Sequence, residues 1–452
     1  MSDEFSYYNP EFKIDDPEKY VITWVQTTPM EGVDLIKTFE QIAAESSIGT
    51  WTKICTMNEE IATKLKPAVY DVDENNRTAK IAYPIELFEK NNMAGIMSSI
   101  CGNIFGMEVL KELRVMDIRF PKSIVESYPG PAFGIEGVRK FFGVKDRPLT
   151  GTIIKPKVGL TAKQHAEVGY QAWTGEDGLG LDIVKDDENL TSLEFNTFDE
   201  RVELTVAMQR KVEKESGEKK GYLCNITHSD YNEMMRRSKL LEEVNGKGEY
   251  IMLDVVTLGF SAVHSYRLAN TGMMIHAHRA MHAAMTRTPG FSISMLVLAK
   301  VYRLLGVDQL HIGTAGVGKM ESSEAETVEI GNNIQMDETP ENPAQFSLGQ
   351  KWWGMKPVVS IASGGLGPHR VPEAVERMGK DTVMQAGGGV HGHPRGTAAG
   401  ATSLRQAVDC AMEGADLIEY GKTHKQLGEA LEKWKPKSRV ITYDEEANKQ
   451  VT

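Results

Sequence analysis

The chain of 452 residues holds four cysteines, Cys55, Cys101, Cys224 and Cys410, with no CxxC spacing among them. Their scatter signals neither a disulfide framework nor a zinc knuckle and fits a reducing compartment. No apolar run reaches the ~20 residues that a membrane helix needs. The opening Met1-Ser2-Asp3-Glu4 is acidic where a secretory signal would be basic and then apolar, so a cytoplasmic protein is expected. Positive charge is in deficit: 51 Lys and Arg face 63 Asp and Glu, a net charge of −12. That balance argues against a non-specific nucleic-acid binder, while leaving room for a local cationic pocket. With 41% hydrophobic and 25% charged residues, disorder over the whole chain is a poor description as well.

At about 150 residues per domain, the length allows roughly three domains, or one large domain with a smaller companion. Residues 1–145 read as an α+β domain. Tyr20–Val25 is β-rich, Val33–Ala44 has an amphipathic helical pattern, and Lys64–Leu87 holds two strand-like runs around Glu74-Asn75-Asn76. A helix over Met93–Phe105 and a strand near Leu113–Phe120 complete a βαββαβ order, which suits a ferredoxin-like sheet.

From residue 146 to 452 the pattern predicts a (β/α)8 barrel with a C-terminal helical tail over 402–435. Eight strand candidates recur, at about 30 residues per unit. They are Gly151–Val158, Leu181–Lys185, Tyr222–Thr227, Tyr250–Val256, Met273–Arg279, Gln309–Thr314, Val358–Ser363 and Thr382–Gly387. Helical runs lie between them, among them Glu200–Glu213, Met234–Val244, Ser292–Leu305 and Pro372–Met378. The competing doubly wound sheet lacks its GxGxxG signature after the first of these strands.

In a barrel, reactive groups belong at the C-terminal ends of the strands. The first strand ends in Lys155-Pro156-Lys157, whose i, i+2 spacing puts both ammonium groups on one face of a strand. The second ends in Lys185-Asp186-Asp187-Glu188. Two carboxylates make a sparse Mg²⁺ site unless a neutral lysine amine takes up CO₂ and becomes a third carboxylate; an exposed polar turn is the plainer reading. His276-Ala277-His278-Arg279 is either a zinc pair or one structural and one functional imidazole, with Arg279 a natural phosphate fork. His311 precedes the glycine-rich Gly313–Lys319 run, a loop able to close over a ligand with Lys319 at its tip. Ser363-Gly364-Gly365 and Gly387-Gly388-Gly389 allow backbone N–H groups to approach phosphate. Six of the eight strand ends are thus suited to hold a doubly anionic sugar phosphate against a divalent metal.

With these motifs in place, and with Glu45-Ser46-Ser47-Ile48-Gly49-Thr50-Trp51 and Gly102-Asn103-Ile104-Phe105-Gly106 upstream, the chain resembles the large subunit of ribulose-1,5-bisphosphate carboxylase/oxygenase (Rubisco) from about Tyr7 to Trp434. The stretches 132–140 and 185–192 resemble the archaeal form III branch. The resemblance implies carboxylation of ribulose 1,5-bisphosphate by CO₂ to two 3-phosphoglycerate, with O₂ as competitor. It implies a carbamate on Lys185 that binds Mg²⁺ with Asp187 and Glu188, the metal holding the substrate's C2 and C3 oxygens. The carbamate would take the C3 proton. Lys155 would handle protons during enolisation and at the final C2 carbanion, tuned by Lys157, and His278 would assist hydration at C3. Lys319 would reach the incoming CO₂. Arg279, His311 and Ser363 would hold one phosphate, and Gly365, Gly387, Gly388, Thr50 and Trp51 the other, with Gly364 and Gln385 lining the substrate site. Glu45 and Asn103 would complete the barrel mouth of a neighbouring subunit, which makes a homodimer the minimum unit and permits an oligomer of dimers. Form III likeness further implies nucleotide-ribose salvage rather than a full carbon-fixation cycle.

Ser322, the 176–181 run and the stretch 322–352 depart from the family pattern. Three alternatives carry other expectations: a Rubisco-like protein that only enolises or isomerises a sugar phosphate, a carbamate-bridged metallohydrolase, and a non-enzymatic scaffold. The first usually lacks some of these lysines, and the second wants histidines where the first strand has lysines. A scaffold has no use for acids and cations at converging strand ends.

Overall fold

The structure is a computed structural model that describes residues 6–49, 54–320 and 323–435. Thr50, Trp51 and Ser322 lie outside the described residues. Contacts divide the chain into two compact units: Met1–Gly130 with Met281–Leu305 and Met336–Met355, and Pro131–Ala280 with Gly306–Gln335 and Lys356–Thr452. A single cut at 145 does not reproduce this division. Residues 131–145 group with the barrel, and two later segments group with the N-terminal sheet.

In the first unit, β1 (Tyr20–Pro29), β2 (Ala68–Asp73), β3 (Thr78–Pro84) and β4 (Leu110–Arg119) form the sheet order β4-β1-β3-β2, the ferredoxin-like arrangement expected. Asp73 Oδ1 accepts from the N–H groups of Asn75 and Asn76 at 2.9 and 3.1 Å, which shapes the turn between β2 and β3. The helix Leu35–Glu45 starts at Asp34, whose side chain accepts from Lys37 N at 2.9 Å. The helix expected over Met93–Phe105 stops at Ile100. A side chain at Gly102 would collide with the Ser98 carbonyl, so this glycine lets the chain break and enter the 3₁₀ turn Asn103–Gly106.

A fifth strand comes from far along the chain. Phe291–Ile293 pairs parallel with β4, so the helix expected from Ser292 begins only at Met295. The apolar periodicity blurs this boundary, but Ser294 marks it: its Oγ accepts from Val297 N at 3.1 Å. The short pair Glu338–Thr339 and Gln350–Lys351 also belongs to this unit.

A buried ion pair ties the three segments together. Lys300 Nζ lies 2.6 Å from Asp117 Oδ2, both side chains are inaccessible, and Asp117 also accepts from Leu348 N at 2.7 Å. Removing one partner strands the other's charge. Lys300→Met is therefore expected to cost on the order of 3–5 kcal/mol, and Lys300→Met with Asp117→Leu to recover part of that loss. Thermal unfolding of the two variants makes the comparison; equal losses would contradict the stranded-charge account.

The second unit closes eight parallel strands into a barrel. Continuing in chain order, these are β5 (Leu149–Ile153), β6 (Ile183–Lys185), β7 (Gly221–Asn225), β8 (Tyr250–Asp254) and β9 (Met274–His278). With the outlying strands above taken as β10, β12 and β13, the barrel resumes at β11 (Gln309–His311), β14 (Val359–Ser363) and β15 (Thr382–Gln385). Helices at Thr397–Met412, Leu417–Thr423 and Lys425–Trp434 match the predicted helical tail. One core cluster gathers Leu149, Ile183, Leu223, Met252, Met274, Ile361 and Val383 with Val138 and Phe142 of the helix Gly134–Phe142. Strand side chains alternate faces, so the residues two positions onward share that inward face: Gly151, Lys185, Asn225, Asp254, His276, Ser363 and Gln385. Along the strand direction the barrel interior therefore passes from hydrocarbon to polar groups.

Candidate active site

The polar end of the barrel collects the residues expected from the second unit. β5 ends at Ile153 rather than running to Val158; Ile154 N still donates to Lys185 O at 3.1 Å, and Pro156, with no N–H, could not carry a ladder further. The two lysines beyond it nevertheless reach the carboxylates after β6: Lys155 Nζ lies 2.6 Å from Asp187 Oδ2, and Lys157 Nζ 2.8 Å from Glu188 Oε1. Burial alone would raise the Glu188 pKa, but His278 and Lys157 outweigh it and hold the carboxyl well below its usual range. The pairing with Glu188 in turn raises Lys157.

Lys185 is fully buried and donates to Asp186 O at 2.7 Å. Burial pushes its pKa down from the ordinary lysine value, against the pull of Glu188, Asp254 and Asp187. Asp186 points the other way, into the helical layer. Its carboxylate lies 3.1 Å from Arg201 Nε and 3.0 Å from His165 Nε2, and accepts from Tyr222 Oη at 2.8 Å and Asn225 N at 3.0 Å. Arg201 also donates to Thr191 O and Asn196 O, while Asn196 Nδ2 donates to Leu160 O at 3.0 Å. One buried guanidinium thus braces the loop after β6, and Asn196 carries that brace to the loop after β5.

The two histidines of β9 take different partners. His278 Nδ1 lies 3.2 Å from Asp254 Oδ1 and its Nε2 3.8 Å from Glu188 Oε2. His276 Nδ1 meets Gln309 Oε1 at 3.0 Å and its Nε2 meets His311 Nε2 at 3.0 Å. An acceptor at Nδ1 places the His276 proton there, so His311 donates from Nε2 and keeps a lone pair on Nδ1. Burial holds His276 and His311 neutral, well below the ordinary imidazole pKa. Burial also lowers Arg279, to about 10, with Glu326 opposing.

The Lys319 loop rests on the turn after β14: Lys319 N and Met320 N both donate to Gly364 O, at 2.9 and 3.2 Å. A Cβ at Gly365, which has φ +83°, would stand 2.6 Å from Lys319 Cβ, so only glycine lets the loop seat here. At Gly387 a Cβ would come within 3.0 Å of Lys155 Cε, whereas Gly388 faces open space. Gln385 is inaccessible, and neither its Oε1 nor its Nε2 has a hydrogen-bond partner among the described residues. Its register partner is Ser363, at the end of β14.

Glu45 and Asn103 lie in the first unit. Both are exposed, Asn103 Nδ2 donates to Glu45 Oε1 at 3.0 Å, and an open depression is lined by these two with Gly102, Gly106 and Met107. Sequence reasoning passed over Asn225, Asp254, His165 and Arg201. Asn225 and Asp254 end the two strands whose tips had drawn no expectation, and the strand-end rule would have found them.

Among the described residues no three His, Cys, Asp or Glu side chains gather as a metal site. Asp187 and Glu188 do supply hard oxygen donors beside a buried amine ringed by carboxylates, so the donor set suits Mg²⁺ once that amine carries a carboxylate. No helix among the described residues is long and apolar enough to cross a membrane.

Residues 6–124 match the N-terminal domain of the ribulose bisphosphate carboxylase large chain, and residues 134–434 its catalytic domain. The ribulose bisphosphate carboxylase of Methanocaldococcus jannaschii is 52% identical over 90% of this chain and 95% of its own, and that of Methanosarcina mazei 46% identical over 90% and 94%. Among solved structures, a dimeric archaeal Rubisco from Hyperthermus butylicus superposes with a TM-score of 0.86 at 41% identity, covering 95% of this chain and 98% of that one. An octameric Rubisco from Pyrococcus horikoshii gives 0.85 at 41% identity, covering 94% and 96%. The chain belongs to the ribulose bisphosphate carboxylase large chain family.

Proposed function

We propose that this chain carboxylates ribulose 1,5-bisphosphate with CO₂ and cleaves the product to two 3-phosphoglycerate, with O₂ competing for the same intermediate. The observation that carries this reading is the meeting of Lys155 and Lys157 with Asp187 and Glu188 beside the buried Lys185. An enolising relative usually lacks some of these lysines, and a scaffold has no use for them.

Lys185, as a carbamate, would hold Mg²⁺ together with Asp187 and Glu188. When bound, Mg²⁺ supplies Lewis-acid stabilisation of negative charge on the substrate's oxygens. Lys155 and Lys157 neutralise the two carboxylates until then and are released to face substrate. Lys155 then moves a proton at C2. Lys185, once carbamylated, would offer an oxygen to the C3 proton, and His278, whose Nδ1 lies 3.2 Å from Asp254 Oδ1, passes protons at C3 during hydration. Lys319 meets the developing carboxylate as its loop closes.

Arg279, His311 and Ser363 bind one phosphate, whose charge favours a second proton on His311 Nδ1. Gly365, Gly387 and Gly388 offer backbone N–H groups to the other, which Thr50 and Trp51 would complete from the N-terminal domain of a second subunit. Gly364 shapes that turn, and the unmet amide of Gln385 finds its partner in substrate. Glu45 and Asn103 serve the mouth of a second subunit, so the working unit is a homodimer or an assembly of dimers, in a cytoplasmic setting. Nucleotide-ribose salvage is the metabolic role that fits the form III likeness.

The purified protein, given ribulose bisphosphate, Mg²⁺ and labelled bicarbonate, is expected to yield labelled 3-phosphoglycerate. An unlabelled isomer as sole product would favour an enolising relative instead.

A further inference from the structure

His391 follows the glycine run after β15 and has no part in the roles above. Its partly buried ring lies between two hydroxyls: Nε2 is 3.0 Å from Thr152 Oγ1 on β5, and Nδ1 is 3.0 Å from Thr397 Oγ1. Thr397 opens the helix Thr397–Met412. The Thr152 hydroxyl donates its own proton to Ala386 O at 2.7 Å. It can therefore offer His391 only lone pairs, and Nε2 must carry the imidazole proton. The Ile153 carbonyl is a second acceptor for that proton. Nδ1 then accepts from Thr397. Burial, reinforced by Lys155, holds the imidazole at about 4, so the neutral form persists at physiological pH.

Two parts of the site hang on this chain of bonds. β5 ends one residue past Thr152, and Lys155 follows. Ala386 leads directly into Gly387, where a Cβ would come within 3.0 Å of Lys155 Cε and 3.7 Å of Ile153 O. The lysine stem fills the space a side chain would take, so the spacing of the two backbones sets where the ammonium lies.

We infer that His391 is a positioning residue for the carboxylation reaction: through Thr397–His391–Thr152–Ala386 it fixes Lys155 against the Gly387–Gly388 turn. This rests on the roles proposed above for Lys155 and that turn.

The test compares His391→Leu, which removes both bonds at similar volume, with His391→Gln, whose amide N–H can replace Nε2–H toward Thr152. In leucine, kcat is expected to fall about tenfold and KM for ribulose bisphosphate to rise about tenfold, since small misplacements of reacting groups are costly. In glutamine, most of both losses should return. A folded leucine variant with wild-type kcat and KM overturns the inference, as does a glutamine variant no better than leucine. Should leucine fail to fold, Thr397→Val carries the test, with KM expected to rise about threefold through loss of one hydrogen bond; unchanged constants there overturn the inference too. Nitrogen-15 spectra of the wild-type enzyme should show the neutral Nε2–H form, and the opposite tautomer contradicts it. A wild-type enzyme that fixes no CO₂ overturns the reading beneath the inference, whereas an active wild type with unaffected variants overturns the inference alone.

Discussion

Replacing Lys185 with alanine is expected to abolish CO₂-dependent activation and Mg²⁺ retention and to lower carboxylation by about three orders of magnitude or more, roughly 4 kcal/mol in the barrier. The side chain is inaccessible and its amine is driven toward the neutral form by burial. A neutral amine can attack CO₂: the N–C bond forms, one C=O π pair moves onto oxygen, and a proton is lost, leaving a carbamate. That carboxylate would be the third hard donor beside Asp187 and Glu188. Alanine removes the nucleophile but leaves both carboxylates paired with Lys155 and Lys157. Incubating wild type and variant with labelled CO₂ and Mg²⁺, trapping the carbamate and counting bound label, checks this apart from turnover. Full carboxylation by the variant would sink the carbamate reading.

Mixing two inactive variants should create activity. In a two-fold dimer with shared sites, a subunit carrying Glu45→Ala and one carrying Lys185→Ala together form one intact and one doubly defective site. Random reassembly makes about half the dimers mixed, so about a quarter of wild-type activity is expected. Glu45 is suited to this role because it is exposed at the end of its helix, where Asn103 Nδ2 donates to its carboxylate. Verified mixed dimers with no activity would show that each chain must supply both residues to its own site.

The barrel was legible because its strands are short apolar runs at a steady spacing, with charged or glycine-rich residues after their C-terminal tips. Lys155, Asp187, Glu188 and His278 stood out for that reason, while the roles expected of them came from the family resemblance. Where partners are distant in sequence, legibility failed. Nothing in the helical run around Arg201 announces that its guanidinium braces Asp186, and His165 looks like any polar residue of a helix. Ser292 and Ile293 read as the start of a helix because their strand partner, β4, lies far earlier in the chain. The meeting of Glu45 with Asn103 depends on a helix end and a glycine break that no spacing rule joins.

The first unit's three segments also bear on how the protein is made. The ribosome releases β1–β4 first, yet Asp117 on β4 must wait for Lys300 and Leu348 before its charge and hydrogen bonds are met. An early sheet with an unmet buried aspartate and an uncovered β4 edge is poorly stable and adhesive. Synthesis therefore runs through most of the barrel before the N-terminal unit can close, and a chain truncated anywhere ahead of Met355 should be a client for chaperones rather than a folded fragment.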